Sequence, residues 1–213
     1  MFSDIHGLLN FTVPEGDILL MAGDMCPAYY DKIFSITYQR KWLEEDFNKW
    51  LEELPIKEKI LISGNHDWIF ETSYNPKLNC HYLQDNSIEI NGLKIHGSPW
   101  SLPFNNWAFN LPEKELEKKW ELIPEDTDIL LVHCPPYGIG DLVKHEAFVK
   151  HIGSKTLKKK ILEVKPKLVV FGHNHNGYGE YNLEGIRCIN VSLLDDNYKV
   201  KHKPVILKNS LKD

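Results

Sequence analysis

Ile60-Leu61-Ile62-Ser63-Gly64-Asn65-His66-Asp67 decides how this chain is read. Three consecutive aliphatic residues before a glycine describe a short strand buried on both faces. Gly64 lets the backbone turn sharply. An amide, an imidazole and a carboxylate follow in succession. The same order recurs along the chain. Ile18-Leu19-Leu20-Met21-Ala22 runs into Gly23-Asp24, and Ile129-Leu130-Leu131-Val132 runs into His133. Leu168-Val169-Val170-Phe171 runs into Gly172-His173-Asn174-His175, and Asp4-Ile5-His6 stands near the start. Ligands of open α/β sheets gather beyond the carboxyl ends of strands. Four motifs at that edge are far stronger evidence than any one of them.

The regions between these runs are helical in pattern. Leu43, Phe47, Trp50, Leu51 and Leu54 form one stripe, and Leu116, Trp120 and Ile123 a second. Leu157, Ile161 and Val164 form a third, with Ser154 as its cap and Pro166 beyond its end. Two hairpins are expected, around Asn91-Gly92 and around Glu184-Gly185. The expectation is a mixed α/β protein of two sheets with helices outside, in one domain over residues 1–213.

Composition narrows the function. The 213 residues are 42% hydrophobic and 26% charged, with a net charge of −5. A grip on long nucleic acid usually leaves a basic footprint, and the whole chain shows none. Lys158-Lys159-Lys160 falls in the third helical stripe and reads as a solvated face. No run of 18 apolar residues and no secretory leader pattern is present, so a soluble cytoplasmic protein is expected. The four cysteines, Cys26, Cys80, Cys134 and Cys188, are scattered without a Cys-x-x-Cys pair, which argues against a thiolate zinc site or disulfide framework.

The oxygen and imidazole donors suit hard or borderline divalent ions, and there are enough for two. Asp24 is the best candidate for a carboxylate shared between them. Asp4 and His6 alternate on one segment and can reach one ion together. Asn65 offers an amide oxygen, and His133, His173 and His175 offer imidazoles. Two such ions, roughly 3.5–4 Å apart, would lower the pKa of a bridging water toward neutrality. His66 is left over, with Asp67 beside it, and a histidine with a carboxylate neighbour suits protonation of a leaving alkoxide. Five other histidines, His81, His96, His145, His151 and His202, take surface or satisfied core positions by default. Trp100, Phe104, Trp107 and Phe109 read mainly as core, with a smaller share for a base-stacking wall. Asp141 and Lys144 read as solvated charges.

The ordered set resembles the calcineurin-like metallophosphoesterase superfamily, and within it the metallophosphoesterase-domain-containing subfamily. Asn79-Cys80-His81-Tyr82-Leu83-Gln84-Asp85, Gly97-Ser98-Pro99-Trp100, His133-Cys134-Pro135-Pro136-Tyr137-Gly138 and Phe171 through Gly179 carry the likeness. The resemblance implies a four-layer α/β/β/α sandwich. It implies one metal on Asp4, His6, Asp24 and His175, and a second on Asp24, Asn65, His133 and His173. Manganese leads, with iron, zinc, nickel or cobalt as alternatives. It also implies that His66 contacts the scissile phosphate.

The expected activity is phosphodiester hydrolysis of small nucleotide-like substrates, cyclic nucleotides included, by a hydroxide held between the metals. A phosphomonoesterase and a non-catalytic metal-bound module are the rivals. Met25-Cys26-Pro27 stands where protein phosphatases of the superfamily carry Asp-Arg-Gly. Two departures set further expectations. Only three residues precede Asp4, which would leave Asp4 and His6 weakly anchored, and Cys134 would lie close to the second metal.

Overall fold

The computed structural model describes residues 1–28, 35–74, 76–145 and 148–208. Its strands are β1 (Ile18–Ala22), β2 (Glu58–Ile62), β3 (His81–Tyr82), β4 (Asn86–Ile90), β5 (Leu93–Ser98) and β6 (Ile129–Val132). Then come β7 (Leu142–His145), β8 (Phe148–His151), β9 (Leu168–Phe171), β10 (Gly179–Leu183) and β11 (Ile186–Asn190). The α-helices are α1 (Ile36–Trp42), α2 (Asn48–Glu53), α3 (Glu113–Trp120) and α4 (Lys155–Val164). The first sheet, β1-β2-β3, is parallel. The second, β10-β11-β9-β6-β5-β4, has a parallel centre and antiparallel hairpins at both edges. β7 and β8 form a separate antiparallel pair.

Side-chain alternation explains the layering. Successive strand residues face opposite sides of a sheet. Leu20, Ala22, Ile60 and Ile62 share one apolar cluster with Ile129, Leu131, Leu168 and Val170, so the two sheets pack face to face. Leu19, Met21 and Leu61 face outward into a cluster with Leu43, Phe47 and Leu51. Leu130, Val132, Val169 and Phe171 face the other way, onto Leu116, Trp120, Leu157 and Ile161. The four layers are therefore helix, sheet, sheet, helix, as expected.

Local chemistry sets the element ends. Ser154 caps α4 by accepting from the Leu157 amide at 3.0 Å. Asn91 and Gly92 both have positive φ, 54° and 75°, as a type I′ hairpin requires. The first helical stripe is interrupted by a π-helical turn over Leu43–Phe47. That wider turn stacks Trp42 on Phe47 and Phe47 on Trp50, at ring separations of 5.1 and 5.7 Å.

The start of the chain corrects one expectation. Residues 2–6 are firmly held, because they bridge both sheets. The Phe2 amide donates to Leu20 O (3.2 Å), and Phe2 O accepts from Ala22 (3.1 Å). The Ser3 amide donates to Val191 O (3.0 Å), and the Asp4 amide to Gly23 O (3.0 Å). Backbone hydrogen bonds on two sides hold this segment in place.

Candidate metal centre

Every donor singled out above except Asp4 and His6 sits where a strand ends. Asp24 follows β1, Asn65 and His66 follow β2, His133 follows β6, and His173 and His175 follow β9. Asp4, His6, Asp24 and His173 all have positive φ, between 43° and 68°. Such backbone is strained for residues with a Cβ and persists only where the surroundings enforce it, most often at functional sites. Close approach explains two glycines. A Cβ on Gly64 would come within 2.2 Å of Asp24 Oδ1, and one on Gly172 within 2.3 Å of Asp4 Oδ2.

Two donor sets meet at Asp24. Its Oδ2 lies 3.8 Å from His6 Nε2, 4.0 Å from His66 Nε2 and 3.5 Å from His133 Nε2. On one side, His6 Nε2 is 3.3 Å from His175 Nε2, which is 3.6 Å from Asp4 Oδ1. On the other, Asn65 Oδ1 lies 2.8 Å from His133 Nε2 and 2.6 Å from His173 Nδ1. Asp4, His6 and His175 thus form one compact group of possible ligands, His6, Asp24 and His66 a second, and Asp4, Asp24 and His133 a third.

The surrounding bonds orient these ligands. His133 Nδ1 donates to Ala22 O at 2.8 Å, and His175 Nδ1 to Asp195 O at 3.0 Å. Each bond leaves Nε2 facing the centre, the usual way a metal-ligating histidine is held. Asp4 accepts from the His173 amide (3.1 Å), Ser192 Oγ (2.8 Å) and Ser3 Oγ. Asp24 Oδ1 accepts from the His66 amide at 2.8 Å.

Electrostatics supply the test of whether cations fit. Asp4 and Asp24 are 0% and 2% exposed, and among the described residues neither faces a lysine or arginine. Buried charges are costly unless paired or bound to metal. Burial pushes both carboxyls up, yet His175 and His133 outweigh it and hold them far below the usual range. Burial likewise lowers His133 and His175, but Asp24 and Asp4 raise each to about 9. The carboxylates thus face imidazoles rather than fixed cations, and divalent ions held by the same donors would balance their charge. His6 Nδ1 and His66 Nδ1 are buried with no hydrogen-bond partner among the described residues. Oxygen and imidazole donors in this ratio fit two borderline divalent ions.

Three expectations need correction. Asp67 does not face the His66 ring. Its carboxylate accepts from the amides of Gly64 (2.7 Å), Cys26 (2.8 Å) and Met25 (3.3 Å), fastening the loop after β2 to the loop after β1. The nearest acid to the His66 ring is Asp24. Cys134 points away from the centre into the apolar cluster under α3 and α4, and burial pushes its thiol up to about 12. Cys134 joins Leu130 and Val132 in that cluster, while His133 just beyond β6 faces the centre. Asp141 is 1% exposed rather than solvated, and accepts from His151 Nδ1 (2.8 Å) and the Gly153 amide (3.1 Å).

A cavity of about 370 Å³ opens over the centre. The loop after β5 supplies one wall. Trp107 packs on the His66 ring at 4.3 Å and on Phe104 at 5.1 Å, while Trp100 and Phe109 stay with the core. The Ala108 amide ties this loop to Asn65 O at 3.0 Å. The β7–β8 hairpin supplies another wall, with Val143, Lys150 and His151. His151, a default surface histidine in the sequence, therefore lines the cavity. Gln39 of α1 was also not singled out. It donates to His66 O at 2.7 Å and accepts from the Ile69 amide at 3.0 Å, and a lone polar residue on a helical stripe carries no sequence signal for that. The side chain of His145 lies outside the described residues.

Comparison with known proteins shows the family. The family model for calcineurin-like phosphoesterases matches residues 1–177. The chain belongs to that family. Metallophosphoesterase domain-containing protein 1 of Homo sapiens is 33% identical over 235 aligned residues, covering 96% of this chain and 68% of the relative. Among solved structures, phosphopantetheinyl hydrolase of Mycobacterium tuberculosis superimposes with a TM-score of 0.56 at 15% identity, covering 92% of this chain and 89% of that one. A Thermus thermophilus protein, TT1561, does so with a TM-score of 0.55 at 17% identity, covering 88% and 86%. At those identities the likeness concerns the fold alone. As a calcineurin-like phosphoesterase, the chain is of a metal-dependent hydrolase type, and among its described residues no helix is long and apolar enough to cross a membrane.

Proposed function

We propose that this calcineurin-like phosphoesterase is a phosphodiesterase acting on small nucleotide-like substrates with two divalent ions. One observation carries the proposal: the buried Asp24 carboxylate lies between two donor sets that hold no permanent cation among the described residues. Asp4, His6, Asp24 and His175 would hold one ion, and Asp24, Asn65, His133 and His173 the other. Manganese is our first choice, with iron, zinc, nickel or cobalt as alternatives for the same donors. When bound, the ions supply Lewis-acid stabilisation of phosphoryl oxygens and activation of water for attack at phosphorus.

The chain's own residues account for the rest. His66, between Trp107 and His6, reaches the rim of the centre without being needed as a ligand. Burial lowers its affinity for a proton. The negative charge of an arriving phosphodiester raises that affinity, so His66 takes up a proton when substrate binds and delivers it to the leaving oxygen. The Trp107–Phe104 wall offers a flat apolar surface to a base or aromatic leaving group. The cavity is the size of a small-ligand site. The net charge of −5 and the lack of a basic stripe oppose long nucleic acid as substrate. Four unpaired cysteines support a reducing, cytoplasmic setting.

The test is a substrate panel on manganese-reconstituted protein, comparing cyclic nucleotides, linear diesters and monoesters. Turnover of diesters well above monoesters is expected. Preference for monoesters would replace the diesterase reading, and no turnover of any ester by protein holding both metals would replace it with a binding role.

A further inference from the structure

The cavity wall opposite the aromatic loop has a chemistry that phosphodiester cleavage alone does not use. Lys150 is the one lysine or arginine lining the cavity among its described residues. It is exposed, and among the described residues it makes no ion pair. It lies directly across the hairpin from Val143, which also lines the cavity. Directly opposed residues of an antiparallel pair share a face. The hairpin is also firmly placed. Asn174, between the donors His173 and His175, donates to Gly140 O at 2.8 Å and to Leu142 O. The buried carboxylate of Asp141 holds His151 and the Gly153 amide at the hairpin's base. Lys150 is thus carried by a strand tied to the metal motif, with its ammonium unclaimed by any described residue.

We propose that Lys150 reads a second anionic group on the substrate, so that the preferred phosphoesters carry a phosphate or carboxylate in addition to the scissile one. This rests on the phosphoesterase reading above. The scissile phosphoryl group belongs over the Asp24 centre, on the cavity floor. A cavity of about 370 Å³ accommodates one mononucleotide-sized molecule. A second charge on such a molecule comes within reach of the facing wall. The other charged residue on the rim, Asp196, is already engaged by Asn176.

Binding and turnover are measured in parallel on manganese-reconstituted protein. Calorimetry compares adenosine 3′,5′-bisphosphate with adenosine 5′-monophosphate. Kinetics compares adenosine 2′,3′-cyclic phosphate with and without a 5′-phosphate. The protein is expected to favour the more charged member of each pair about tenfold, as for one charge-assisted contact at a partly exposed site. K150A should bring both ratios near one, mainly through Kd and KM. K150R should keep them, K144A should leave them unchanged, and salt should reduce them. Unchanged ratios in K150A overturn the inference. Failure to cleave either cyclic nucleotide, with a binding ratio that still collapses in K150A, overturns the diesterase reading and leaves the role of Lys150 standing.

Discussion

Asp24 Oδ2 stands 3.5 Å from His133 Nε2, although the two residues end strands in different sheets. The contact spans the join between the sheets, so the candidate centre depends on both. Asp24 also faces His6 on the other side, at 3.8 Å. Asp24→Asn should therefore weaken both ion sites together. Wild-type protein dialysed against manganese is expected to hold two ions per chain, and the variant fewer than one at the same free concentration. Elemental analysis after dialysis decides it. One ion retained at full occupancy in the variant would sink the shared-carboxylate assignment.

Asp67 makes a separate prediction because it binds backbone rather than substrate. Asp67→Ala leaves the amides of Gly64, Cys26 and Met25 without their acceptor. Unsatisfied buried donors cost about 1–3 kcal/mol each, discounted here for relaxation to a total of about 3 kcal/mol. In a chain of this size the melting temperature should fall by roughly 6–12 °C. Asp67→Asn keeps one acceptor oxygen and should fall between. If Asp67 acted instead in proton transfer, Asp67→Asn would abolish a limb of the pH–rate profile while sparing thermal stability.

His96 predicts acid sensitivity. It is 1% exposed on β5, shares a hydrogen bond of 2.9 Å with Ser87, and burial lowers its pKa to about 4. The folded pKa lies below the unfolded value of about 6.5. The neutral form therefore belongs to the folded state, and its stability contribution is whole above pH 6.5 and lost as pH falls toward 4. The full loss is about 3 kcal/mol. His96→Gln should be less stable than wild type at pH 7, with the gap narrowing as pH falls from 6.5 to 4. Urea midpoints across that range measure it, and a gap constant with pH would show that His96 does not titrate as its burial implies.

Sequence alone makes strands with two apolar faces legible, because in runs such as Leu168–Phe171 one face packs on the other sheet and the other on the helices. It also makes the hairpin turns legible, since Gly92 and Gly185 accept the positive φ that such turns require. β3 and the β7–β8 hairpin are too short and too polar to announce themselves. In the site, residue types at strand ends are legible, but directions are not. Asp67 follows His66 in a tight turn, where adjacency in sequence does not bring side chains together. Asp141, His151 and Gln39 are single polar residues whose positions depend on distant backbone, so no local pattern marks them.

His66 carries the last prediction. Its ring packs on Trp107 at 4.3 Å, and its Nε2 is 4.0 Å from Asp24 Oδ2, outside the two ligand sets proposed above. His66→Ala should leave metal content nearly unchanged and slow hydrolysis. Positioned acid catalysis contributes about 10²–10⁴-fold, so a loss of that order is expected with an alkoxide or ribose leaving group. With nitrophenolate, which departs without help, the loss should shrink toward unity. The comparison of leaving groups separates proton delivery from phosphate binding, because a binding role would slow both esters alike. Full activity on a ribose ester, with both metals retained, would remove His66 from the chemistry altogether.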